Sequence, residues 1–265
     1  MKRAYTDIAE GQIHYRTEGN GEPLLLLHAA VASSSEFGKV IPFLSKYYRV
    51  IAMDYLGHGE SDPAPYQYQI IDHARTAISF LDSLSIKKAN VLGKNAGANV
   101  AAELAINWPE RVNRLVLSSA GYFPGPSEGI VMRGHPEFKS FTSPVELKPD
   151  GLHLMEWWRR AAFWEAPPEI LEERVLEYIK AGPRGEEIHW ASGKYDVKVR
   201  LPLINCPTLV LSGIDDPFYP VAEKIKTLLP YGKLKIIENG SIYVTRTMPE
   251  EYAEVVLDFL NKTGM

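Results

Sequence analysis

"VLGKNAGANV", residues 91–100, decides the fold of this 265-residue chain. An apolar stretch ends at Gly93, and Gly97 opens an alanine-rich run with helical composition. Strand, tight turn and helix in that order form a loop of the kind that holds a catalytic nucleophile at a strained tip. Glycines stand where turn and helix leave no room for a Cβ. The residue at the tip is Asn95, and an unactivated carboxamide is a poor nucleophile.

Outward from that loop, short runs of Leu, Val and Ile alternate with segments of helical spacing. Strands are expected at 23–28, 49–54, 89–93, 114–119, 208–213 and 233–238, and helices around 35–46, 69–85, 96–108, 218–229 and 249–262. The runs are nearly continuous in apolar residues, the pattern of strands covered on both faces of a parallel sheet. Residues 4–21, with turn signals at Glu10-Gly11 and Gly19 to Gly21, read as an N-terminal antiparallel hairpin at its edge. The expectation is an α/β, doubly wound, mostly parallel sheet whose ligand site lies at the carboxyl ends of the strands.

One interval breaks the rhythm. From 121 to 203 there is no core-strand run, but there are two amphipathic candidates, 152–166 and 167–182. This divides the chain into a core of 1–120 with 204–265 and an inserted helical cap of 121–203. Trp157, Trp158 and Trp164 fall in the cap; apolar helix faces usually exist to be buried, and the functional alternative is that they roof an apolar pocket.

Composition narrows the function classes. A net charge of -4 and a pI near 6.0, with Lys and Arg scattered, give no face for nucleic acid or an anionic membrane. The opening "MKRAYTDIAEGQIHY" has no apolar run behind its basic residues, so a cytoplasmic protein is expected. Cys206, the single cysteine, excludes an internal disulfide and reads as a small buried apolar residue. No His-x-x-x-His or His-carboxylate cluster suggests a metal, and no cofactor is implied. The partner class left is a small molecule; the oligomeric state stays open.

Six motifs in order give the chain a resemblance to the α/β-hydrolase family over nearly its full length. "LLLLHAA" resembles the strand and oxyanion loop that usually reads His-Gly, and "DYLGHGES" (54–61) is similar to the family's Asp-x-x-Gly-x-Gly-x-Ser turn. "GKNAG" (93–97) stands at the nucleophile elbow, Gly-x-Ser-x-Gly, and "PERVNRLVLSSA" (109–120) resembles the strand after the elbow helix. "CPTLVLSGIDDPFYP" (206–220) resembles the segment carrying the catalytic acid, and residues 236–260 the segment carrying the catalytic histidine.

The resemblance implies a site that this chain does not fill. Asn95 replaces the nucleophile, Ser241 stands where the histidine is expected after Gly240, and no histidine follows His189. Asp216 keeps the acid, with Asp215 as its possible substitute. Without nucleophile and histidine, ordinary serine-hydrolase chemistry is not expected. The oxyanion-loop backbone implied by the family would persist as the N–H groups of Ala96 and of Ala29 or Ala30. Lys94 either offers a cation to a ligand or turns away and pairs with a carboxylate. His28 and His58 read as buried structural residues; nothing in spacing singles out His135, His153 or His189.

Three readings follow. The first is a protein binding a small, mostly apolar carbonyl-type ligand under the cap, with Lys94, Trp157 and Trp158 among its contacts. The second is an enzyme working without a covalent intermediate, as a lyase, a cyclase or a general-base hydrolase, through Asp216 and the oxyanion N–H groups, with Ser241 hydrogen-bonding Asp216. The third is an esterase scaffold with an altered site.

Overall fold

The computed structural model describes residues 1–121, 145–163 and 165–261; Trp164, His135 and residues 122–144 of the insertion lie outside them. Eight strands form one sheet in the order β1-β2-β4-β3-β5-β6-β7-β8. They are β1 (Lys2–Ile8), β2 (Gly11–Glu18), β3 (Pro23–Leu27), β4 (Arg49–Met53), β5 (Ala89–Lys94), β6 (Val112–Ser118), β7 (Thr208–Asp215) and β8 (Gly232–Ser241). β1 and β2 make the expected antiparallel hairpin, β2 runs antiparallel to β4, and every other pairing is parallel.

The continuous apolar runs are explained by burial on both faces. Leu25, Leu27, Ile51, Met53, Val91, Leu115, Leu117 and Val210 point into one core, against the helices Ile70–Ser83 and Ala96–Asn107. Their sequence neighbours Leu24, Leu26, Val50, Ala52, Leu92, Val116, Leu209 and Leu211 point into the other, with Phe37, Ile41 and the last helix, Pro249–Leu260. This period of two is set by the pleat, and each fully buried leucine of β3 contributes roughly 1.5–3 kcal/mol. The outer strand β1 alternates in exposure and β8 is buried at only a few positions, as edges are.

β3 pairs with β4 on one side and β5 on the other, so the chain reverses its direction of travel across the sheet there. A crevice opens at the carboxyl ends of such a pair, and residues 28–33 and 94–96 border it. Between β6 and β7 the described residues form helices, including His153–Ala162, Pro168–Ala181 and Glu187–Lys194. The first two match the amphipathic segments read from sequence; the third had no clear apolar period. Among the described residues no helix is long and apolar enough to cross a membrane.

Candidate active site

Asn95 sits at φ 53°, ψ −116°, between β5 and the helix it opens. Its N–H donates to the Ser118 carbonyl at 2.9 Å, and its own carbonyl accepts the Ala98 N–H at 3.0 Å. The flanking glycines are required by close approach. A Cβ on Gly93 would stand 2.0 Å from the Gly97 carbonyl oxygen, and one on Gly97 would stand 2.3 Å from that of Leu27. The turn is thus a strained elbow, and a backbone so placed costs of order 1–3 kcal/mol.

A cavity of about 60 Å³ lies over the tip, bordered by Asn95, Ala96, Ala29 and Ala30. Ala96 is the first helical residue, so its N–H has no intrahelical partner. The loop donor is narrowed. Ala29 donates its N–H to Glu36 Oε2 at 2.7 Å and is not available to a ligand, a correction to the expectation from sequence. Among the described residues nothing accepts from the Ala30 N–H, and both Ala30 and Ala96 border the cavity.

Glu36 also meets Lys94, whose Nζ donates to Oε1 at 2.8 Å; both side chains are buried. Burial opposes the charge on Glu36, but the Lys94 and Arg246 charges and the Ala29 N–H outweigh it and hold the carboxyl at about 2. Of the two expectations for Lys94, pairing with a carboxylate is the one the structure gives, although the side chain still lines the cavity.

Among the described residues no hydrogen bond joins the three positions taken from the family, although Asp215 pairs with Ser241 across β7 and β8. Asp216 is buried; its Oδ1 accepts the Phe218 N–H at 2.8 Å and it does not line the cavity. Burial pushes its carboxyl up against the opposing influence of neighbouring Ser119 and of the Phe218 N–H. Asp216 Oδ2 and Ser119 Oγ each lack a hydrogen bond of good geometry. Ser241 accepts the Tyr243 N–H at 3.2 Å, not a bond from Asp216, and it too is outside the cavity lining. The residues of that turn which border the cavity are Ile242 and Tyr243, whose buried hydroxyl has no hydrogen-bond partner among the described residues. At the end of a strand a shift of one position changes which side chain faces the site, and neither candidate is a histidine.

The roof also differs from expectation. Trp157 is core and packs edge-on against His153, while Trp158 on the next position is 45% exposed; neither lines the cavity. The face turned inward carries Arg160 and Phe163, followed by Arg174 and Tyr178 of the second insertion helix and His189 and Ser192 of the third. These residues sit three or four apart, as one face of a helix requires. The cavity wall is accordingly mostly apolar, as expected, with several cations set into it.

Most of that charge belongs to a network. Glu177 accepts from Arg174 and from Arg246, each at 2.7 Å, and from the Ser35 hydroxyl at 2.9 Å; Arg246 also bonds Glu173 at 2.8 Å. Arg160 bonds Glu156 at 2.8 Å and stands 3.5 Å from Glu186, which also meets His189. None of this was read from sequence, because Glu and Arg at helical spacing look like a solvated face. Of the cap histidines within the described residues, His189 is the one at the cavity, while His153 accepts the Lys148 N–H at the surface.

His28 and the turn after β4 are structural, as expected. His28 Nδ1 donates to the Ala29 carbonyl at 2.7 Å, Nε2 accepts the Tyr55 N–H at 3.2 Å, and burial pushes its pKa down. Asp54 accepts the Ser34 and Glu60 N–H groups at 2.6 and 3.0 Å and faces His14 Nδ1 at 2.8 Å. Burial opposes its charge, yet the His14 contact and these N–H donors keep it at about 2. Cys206 is half-buried against the core.

The elbow, the switch in strand order and the Asp54 turn can be set beside known proteins. The family model described as alpha/beta hydrolase fold matches residues 22–163. The chain belongs to the α/β-hydrolase family. A haloalkane dehalogenase 2 of Mycobacterium tuberculosis (strain H37Rv) is 34% identical over 95% of this chain and 92% of its own length. A 2-hydroxy-6-oxo-6-phenylhexa-2,4-dienoate hydrolase of Comamonas testosteroni is 26% identical over 97% and 93%. In fold, a bromoperoxidase of Bacillus anthracis aligns with a TM-score of 0.81 at 22% identity, over 98% of this chain and all of that one. The hydrolase superfamily is therefore the setting of this chain.

Proposed function

We propose that this chain binds a small oxo acid in the elbow cavity and does not cleave substrates through an acyl-enzyme. The observation that carries the reading is the composition of the cavity: a tip without a hydroxyl or thiol, no histidine from the turn after β8, and cations in the roof. Ala30 and Ala96 would donate to the carbonyl oxygen, with Asn95 beside them. Lys94, Arg160, Arg246 and the largely buried Arg174 are faced by three buried carboxylates, Glu36, Glu177 and Glu186, while Glu156 and Glu173 reach solvent.

Size sets the ligand class. At roughly 10–15 Å³ per water, the cavity holds a handful of solvent molecules, which suits a short oxo acid such as pyruvate. The relative from Comamonas testosteroni is named for a substrate with both an oxo group and a carboxylate, which supports the same chemistry on a larger scale. In this reading residues 121–203 act as the cap, and their Arg and Tyr side chains close the site.

Calorimetric titration with pyruvate tests it. Saturable one-to-one binding is expected, weakened at least about tenfold, or 1.4 kcal/mol, by Ile242→Asp, which adds an anion to the lining. Absence of saturable binding, or binding indifferent to that charge, contradicts the proposal. The general-base alternative draws on the raised Asp216 carboxyl alone. It predicts turnover lost in Asp216→Asn.

A further inference from the structure

A second cavity, of about 210 Å³, lies between the Gly57–Ala64 turn and residues 180–188 of the insertion, and shares no lining residue with the elbow cavity. We propose that it is a binding site for a small neutral aromatic hydroxyl compound, a phenol.

The walls select a ring. Leu56, Ala64 and Ile188 are apolar, and Tyr68 stands edge-on to His73 with centroids 5.2 Å apart, leaving aromatic faces and edges for a further ring. Apolar cavities of roughly 150 Å³ accommodate benzene, so this one has room for a ring with a substituent.

His73 selects the hydroxyl. It is 3% exposed, lines the cavity, and its Nδ1 has no hydrogen-bond partner among the described residues. The ring is a polar element in a wall otherwise formed largely by apolar and aromatic groups, where a ligand hydroxyl is favoured over a hydrocarbon. Burial first, then neighbouring His58 and His28, push the His73 pKa down to about 3, so the ring is neutral and offers one donor and one acceptor. A hydroxyl can meet either.

The rim selects a neutral molecule. Lys180 is paired with Glu60, and Arg184 with Glu187 and, at 2.9 Å, with the Ala64 carbonyl. These cations are committed to local partners, so an anion gains nothing there. A bound phenol would also bear on the insertion, because His58 Nε2 already bridges to the Gly185 carbonyl at 3.1 Å and the helix ending at Ala181 carries Arg174 and Tyr178 over the elbow.

The test is a titration of the full chain with phenol, followed by calorimetry and by the ¹⁵N resonances of the histidine rings. One-to-one saturable binding that shifts the His73 nitrogens is expected. Benzoate, the same ring with a charge, should bind at least about tenfold more weakly, a difference of about 1.4 kcal/mol. Ala64→Phe, which fills the cavity from a half-exposed loop position, should abolish phenol binding and leave the pyruvate titration unchanged. Pyruvate should leave the His73 nitrogens unmoved, so failure at one site is distinguishable from failure at the other. No saturable phenol binding, binding that leaves His73 unshifted, or benzoate binding as well as phenol would overturn the proposal. If Ala64→Phe does not fold, the ring-nitrogen readout on the unaltered protein decides.

Discussion

Asn95 occupies a backbone region that only glycine enters freely, and the elbow holds it there through the close packing of Gly93 and Gly97. Asn95→Gly should therefore raise unfolding free energy by about 1 kcal/mol, because relief of about 1–3 kcal/mol of strain exceeds the backbone entropy that glycine adds. A urea midpoint equal to or below that of the unaltered chain would contradict this. Lys94 carries a different burden, since its ammonium is the main counter-charge for a carboxylate sealed beneath the oxyanion loop. Lys94→Met should cost about 3–5 kcal/mol by leaving Glu36 uncompensated. Adding Glu36→Gln should recover a large part of it, since the amide oxygen still accepts the Ala29 N–H. A double variant no more stable than Lys94→Met would show that the pair is not what Lys94 serves.

At the scale of elements, the turn after β4 and the helix Ile70–Ser83 bury His58 and His73 as neutral rings, held at about 4 and about 3 mainly by burial. The unfolded chain takes up protons at these positions below about pH 6.5, and the folded chain does not until pH approaches those lower values. Stability is then present above pH 6.5 and falls as pH drops toward 4, with a slope of up to about 1.4 kcal/mol per pH unit for each ring. Glu36 and Asp54 extend the loss further, since both are lowered to about 2 and lose their contribution as pH falls from the ordinary carboxylate range toward that value. Melting curves between pH 7 and 4 measure the slope, and His73→Phe should make it shallower; an unchanged slope would mean the ring is not buried neutral. The helix His153–Ala162 makes a second prediction through its phase. Trp157→Ala should cost about 3–5 kcal/mol and Trp158→Ala less than about 0.5, because adjacent positions point about a quarter-turn apart and the first alone is core.

Across the whole molecule, the sheet and its elbow were legible because their causes are local. Continuous apolar runs follow from burial on both faces, and Gly93 and Gly97 mark places where another backbone passes within reach of a Cβ. The site was legible in what it lacks, a nucleophile at 95 and a histidine after 189. What lines it was not, for three physical reasons. Glu36 meets Lys94 only through tertiary packing; Arg174 and Arg246 look solvent-facing until Glu177 and the β3 loop close over them; and the turn after β8 brings Ile242 and Tyr243, not Ser241, to the cavity. The central claim is that this elbow forms no covalent intermediate. Mixing the protein with p-nitrophenyl acetate, following nitrophenolate release and then mapping acetyl groups by mass spectrometry tests it most directly. The account predicts no burst and no acetyl group on residues 93–97; a burst equal to the protein concentration, with the acetyl group on that stretch, would contradict it.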